Sequence, residues 1–157
     1  MRQMQGFTLV ELILVMVLVA ILAAEVMPRL PDNTLNLSAQ AEQLASDIRL
    51  AQSMAMTRGQ RFGIKINANP TNTYQIVDQN GNGTVVHPVT GNTTAINLAS
   101  TVATTNALVE FDGKGKPYTD VLTPPTALAG TATITLTKNG QARTVTVEVE
   151  TGKVSIP

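Results

Sequence analysis

Hydrophobic and polar positions divide this chain into three regimes. From Phe7 to Met27 the residues are almost continuously apolar, interrupted by the carboxylates Glu11 and Glu25. From about Asn36 to Arg58, Leu37, Ala41, Leu44, Ile48, Ala51 and Ala55 recur at spacings of four and three, which predicts an amphipathic helix with one apolar stripe. Gln40, Glu42, Gln43, Ser46, Asp47 and Arg49 are expected to face away from that stripe. After Gly59 the period changes to two. Phe62, Ile64 and Ile66 alternate with Gly63 and Lys65 and predict a strand, and Tyr74–Val77 predict a second.

Beyond Val77 the signals weaken and then return. Asp78–Gly83 reads as a turn leading into Thr84-Val85-Val86, and Ala95–Leu98 and Thr101–Thr104 are faint strands. Leu108–Phe111 is a clear strand that ends in the turn residues Asp112–Pro117. Ile134 and Leu136 alternate with threonines, Asn139-Gly140 turns the chain, and Val145, Val147 and Val149 alternate on the return, which predicts a hairpin. Thr151-Gly152 makes one more turn before Val154 and Ile156. A long helix followed by antiparallel strands is an α+β layout.

Composition narrows the chemistry. The formal net charge is zero and charged residues are 14% of the 157 positions, so no global field points to nucleic acid or an acidic substrate. There is no Cys, which excludes a disulfide framework and thiolate metal sites. Aromatics are scarce and Trp is absent, against an aromatic-lined pocket. His87 is the only histidine and is expected at a surface or edge. Neither a nucleophile motif nor a Gly-rich phosphate loop is present, and no cofactor is implied. Asp78, Asn80 and Asn82 imitate the start of a calcium loop, but Val89 stands where that loop needs a bidentate Glu, so turn chemistry accounts for them and calcium binding is the weaker alternative. Arg49, Arg58, Arg61 and Lys65 are expected on a solvated face, and Arg143 and Lys153 give little support for DNA contact.

The apolar N-terminal run is the informative stretch. As a helix, Phe7 to Met27 rises about 30 Å, the depth of a bilayer's hydrocarbon core. Arg2 and the α-amino group put a small positive charge before it, which orients the N-terminus toward the cytoplasm. A cleaved secretory signal fits poorly at Leu22-Ala23-Ala24, and a plain anchor has no use for Glu11 at about 3 kcal/mol in mid-membrane. If the chain is cut after Gly6, Phe7 carries a new ammonium group and Glu11 lies one helical turn away. A buried carboxylate and ammonium offset each other's desolvation, so the pair sets the register between packed helices; pairing within the same helix is the alternative. Pro28 ends or kinks the run, because its ring meets the carbonyl of Ala24.

Gly6-Phe7-Thr8-Leu9-Val10-Glu11-Leu12 closely resembles the class III signal of type IV pilins and pseudopilins. The resemblance implies cleavage between Gly6 and Phe7 by the prepilin peptidase, N-methylation of Phe7, and the Phe7–Glu11 assembly contact. Ala45–Ala55, the Phe111-Asp112-Gly113-Lys114-Gly115 turn and the terminal Thr-Gly-Lys-Val segment look like the GspH/FimT group of minor pilins, and the MSHA pilin protein MshC is similar in the same places. Residues 67–107 are not covered. The layout expected is then a leader (1–6), a transmembrane assembly helix (7–28), a break and amphipathic helix (29–58) and a β-rich periplasmic or extracellular domain (59–157). The implied role is a structural subunit of a type IV pilus or type II secretion pseudopilus, not an enzyme. Its partners are other pilin subunits, the prepilin peptidase and the inner membrane. The competing role is a filament-tip module that captures DNA or a surface.

Overall fold

The computed structural model describes residues 8–26, 32–67, 71–79, 81, 85–88, 91–120 and 125–157. The expectations for Gly6, Phe7, Pro28, Asn80 and Asn82 fall on residues outside that set. The chain divides into two compact units, Met1–Pro31 and Asp32–Pro157.

The first unit holds α1, Leu9–Val26. Its 18 residues rise about 27 Å. Among the described residues no helix is long and apolar enough to cross a membrane. The Phe7–Met27 span needs two end residues that lie outside the described set.

The second unit opens with α2, Asp32–Arg58, which starts a turn earlier than the stripe predicted. Among the described residues nine strands follow: β1 Phe62–Asn67, β2 Thr73–Asp78, β3 Ile96–Asn97, β4 Thr101–Thr104, β5 Leu108–Phe111, β6 Pro117–Tyr118, β7 Ala132–Lys138, β8 Gln141–Val147 and β9 Val154–Ser155. They form two antiparallel sheets, ordered β3-β2-β1-β5-β6 and β4-β7-β8-β9. The β7–β8 hairpin turns at Asn139-Gly140 as predicted, and Lys138 pairs with Gln141. Two strand expectations are corrected. Val149 lies beyond β8, which gives way to a turn after Val147, and Pro117–Tyr118 is an edge strand within what read as a turn.

The predicted stripe is the core. Leu37, Ala41, Leu44, Ile48, Ala51 and Ala55 are all fully buried, joined by Ala45. They pack with Phe62, Ile64, Ile66, Tyr74, Val109 and Phe111 of one sheet and Val102, Ile134, Leu136, Val145 and Val147 of the other. The alanines bring the helix backbone close to both sheets, while each buried Leu or Ile contributes about 1.5–3 kcal/mol. Asp47 breaks the expectation: it is 5% exposed and turned inward. A carboxylate tolerates that position only with partners.

Candidate functional site

At the N-terminal end, α1 has a built start. Thr8 Oγ1 accepts the backbone N–H of Glu11 at 3.3 Å, and the Thr8 carbonyl accepts the N–H of Leu12 at 3.2 Å. Thr8 is therefore the N-cap and Glu11 stands at the third helical position. A carboxylate in the first turn also complements the helix dipole. Glu11 stands out in the sequence for its charge; the cap that fixes its place is Thr8. Every large apolar residue from Leu9 to Leu22 is more than half exposed.

In the second unit, the segments that carry the family resemblance meet at one joint. Gln52 of α2 donates its side-chain amide to the carbonyls of Gly115 and Thr151, each at 3.0 Å. Gly115 belongs to the β5–β6 turn, built by Asp112, whose Oδ1 accepts the N–H groups of Lys114 at 2.8 Å and Lys116 at 2.9 Å. Thr151 belongs to the β8–β9 turn, closed by Gly152 N–H on the Glu148 carbonyl at 3.0 Å. A Cβ at Gly152 would lie 2.6 Å from Gln52 Nε2 and from the Gly115 carbonyl, so the approach needs glycine. Lys116 and Glu150 pair at 3.1 Å across the same joint. One glutamine thus ties a turn of each sheet to the helix.

A second polar cluster lies inside the core. Tyr74 donates its hydroxyl to Asp47 Oδ2 at 2.6 Å, and His87 Nε2 lies 3.0 Å from Asp47 Oδ1. Burial, reinforced by Asp47, pushes the Tyr74 phenol upward and keeps it protonated. His87 is 5% exposed, which corrects the expected surface position. His87 also donates its backbone N–H to Asn92 at 2.8 Å and accepts from Gly91 at 2.8 Å, so a long connection is pinned to the helix. In the sequence Asp47 stands next to Ile48 of the stripe and His87 is the only histidine, but nothing local marks their pairing.

Other expected features are distributed rather than assembled. Asp78 ends β2 and accepts the N–H of Gly81 at 2.9 Å, as a turn residue does. Among the described residues no group of three His, Cys, Asp or Glu could hold a metal. Of the cations expected on a solvated face, Arg49, Arg58 and Lys65 are exposed and Arg61 is half-buried; the three arginines, and Arg143 and Lys153, each have a partner. Arg49 donates to the Val154 carbonyl at 3.1 Å, Arg58 lies 5.1 Å over the Phe62 ring, and Arg143 reaches Ser38 at 3.2 Å. Arg61 lies 2.8 Å from Glu110, and Lys153 lies 3.7 Å from Glu148.

Comparison with known proteins places these observations. The family described as Type II transport protein GspH matches residues 40–152, and the Prokaryotic N-terminal methylation motif matches residues 1–24. Curated proteins give no match. Among solved structures, the type IV minor pilin FimU of Pseudomonas aeruginosa superposes with a TM-score of 0.55 at 17% identity, over 77% of this chain and 87% of that one. The minor pseudopilin EpsH from the Type 2 Secretion System of Vibrio cholerae gives 0.53 at 14% identity, over 78% and 96%. At such identities the structural likeness establishes the α+β fold.

Proposed function

The chain belongs to the GspH family of type II transport proteins, and from that premise we propose that it is a minor pilin or pseudopilin. It is a structural subunit that assembles through α1 and carries no catalytic activity of its own. The observation that carries this reading is α1. A capped helix whose large apolar side chains from Leu9 to Leu22 are all 51–74% exposed requires a lipid or protein environment. The relatives are described as a minor pilin of a type IV system and a minor pseudopilin of a secretion system, and this subunit serves a filament of that kind.

In the proposed sequence of events, the chain inserts in the inner membrane with its N-terminus cytoplasmic and prepilin peptidase cuts between Gly6 and Phe7. Phe7 is then N-methylated. The freed ammonium of one subunit meets Glu11 of another, fixing the axial register. The globular unit faces the periplasm or the cell exterior. The domain boundaries at 6, 28 and 58 follow from the same scheme, with Pro28 marking the helix break.

Glu11→Gln tests it. The variant inserts and is cleaved as the wild type is, but its incorporation into filaments, measured in sheared fractions, falls sharply. Incorporation at the wild-type level excludes Glu11 as the register contact.

A further inference from the structure

Glu110 is fully buried, yet it does not face the helix. It belongs to a row that crosses the first sheet from Val77 through Gly63 and Glu110 to Tyr118. The neighbouring row, with Phe62 opposite Phe111, holds the core side. Room for the Glu110 side chain comes from Gly63, because a Cβ there would lie 2.7 Å from Glu110 Cγ and 2.4 Å from the Val109 carbonyl. Among the described residues the counter-charge to Glu110 is Arg61, whose Nη2 lies 2.8 Å from Oε2. The approach is close but off-axis: neither carboxylate oxygen of Glu110 accepts a hydrogen bond among the described residues. An Nη2 N–H is directed instead at the backbone carbonyl of Asp120, and the guanidinium lies 5.3 Å over the Tyr118 ring.

One guanidinium nitrogen therefore stands before two acceptors, and of the two its N–H groups in this orientation serve only the carbonyl. One is a carbonyl just beyond β6; the other is a carboxyl whose charge changes. We propose that Arg61 is a proton-controlled clasp on the edge strand β6: with Glu110 protonated it holds the Asp120 carbonyl, and with Glu110 ionised it turns to the carboxylate and releases the end of β6. The proton leaves to solvent, and no other covalent bond changes. A buried carboxylate without hydrogen bonds is costly, whereas the neutral acid is tolerated, so ionisation gives Arg61 a stronger acceptor.

The surroundings agree. Facing Glu110 are Arg61 at the entry to β1, Asp78 at the end of β2, and Tyr118 and Asp120 from β6 and its exit; Lys65 lies on the same sheet face and is exposed. Burial pushes the Glu110 carboxyl up to about 7; Arg61 opposes the rise, while Asp120 and Asp78 add to it. The β6 end also borders a cleft of about 350 Å³ formed by Thr105, Asn106, Thr119 and residues 126–131, whose shape the clasp would control. This device is independent of whether the chain assembles into a filament.

Hydrogen exchange on the full chain in detergent micelles tests the clasp. The reporters are the N–H groups of Thr119, Thr126 and Leu128, bonded to the Thr126 carbonyl, Asp120 Oδ1 and the Pro117 carbonyl at 3.0, 3.0 and 3.2 Å. After correction for intrinsic rates, their protection relative to β8 falls about tenfold between about pH 5.5 and pH 8.5. In Glu110→Gln, whose amide mimics the neutral acid, it stays high throughout. A wild-type profile without the fall, or the same fall in Glu110→Gln, overturns the proposal. If Glu110→Gln does not fold, infrared spectra of wild-type chain with isotope-labelled glutamate decide. A protonated carboxyl band present near pH 6 and gone near pH 8 supports the clasp, and its absence near pH 6 refutes it.

Discussion

Tyr74 and Asp47 meet in the core at 2.6 Å, 27 residues apart in sequence, and with His87 on the other carboxylate oxygen they hold β2 and a connecting loop to α2. Removing one partner leaves a buried carboxylate with one bond fewer. Tyr74→Phe should therefore cost about 1–3 kcal/mol in urea unfolding. Asp47→Ala strands both the phenol and the imidazole and should cost more, about 3–5 kcal/mol. Equal costs for the two variants would show that the three groups do not act as a unit.

The core lies wholly within Asp32–Pro157. A chain beginning at Asp32 should fold alone, with mixed helix and strand circular dichroism and one cooperative unfolding transition. A broad, non-cooperative transition would mean that the N-terminal helix completes the core.

Gln52→Ala removes both side-chain bonds to the turns at Gly115 and Thr151. The expected loss is about 1–3 kcal/mol. Hydrogen exchange should accelerate in both turns together, although they lie in different sheets. Acceleration in one turn alone would contradict a shared tie.

Gly63→Ala places a methyl group against the Val109 carbonyl and the Glu110 side chain. The β1–β5 pairing must shift, at a cost of about 1–3 kcal/mol, read as a lower melting temperature. A neutral effect would show that the row across the sheet has slack.

Glu110 gives the globular unit a pH dependence of defined sign. Its folded value of about 7 lies above the ordinary 4.5, so the folded state holds the proton more tightly than the unfolded chain. Its contribution is full below the ordinary value, declines as pH rises to about 7, and is then constant. The difference between wild type and Glu110→Gln across that window should reach at most on the order of 3 kcal/mol. A wild type that gains stability relative to the variant over this range reverses the sign and refutes the assignment.

The long-range periodicities were legible in the chain; the polar interior was not. All six stripe residues from Leu37 to Ala55 are buried, and the strands at Thr101–Thr104 and Leu108–Phe111 have the bounds read from alternation. Alternation puts Glu110 on the face away from the helix, as observed, but gives no sign that this face is buried there. Arg61 and Tyr118, distant in sequence, lie against it across the sheet, and no local pattern encodes that contact. His87 and Asp47 were misplaced for the same reason. Each looks solvent-facing alone, and only their pairing makes burial tolerable. The N-terminal motif was legible because its residues are adjacent in the sequence.

Among the described residues, the outermost strands β3, β6 and β9 are two residues long, and the remaining edge strand, β4, has four. So short a rim offers few free backbone groups on which another chain could template a strand. Copies crowded at high local density then have little opportunity to join sheet to sheet. Under the proposed assembly the globular units would remain separate objects, polymerisation would be left to the apolar helix, and a filament held that way could be taken apart without unfolding its members.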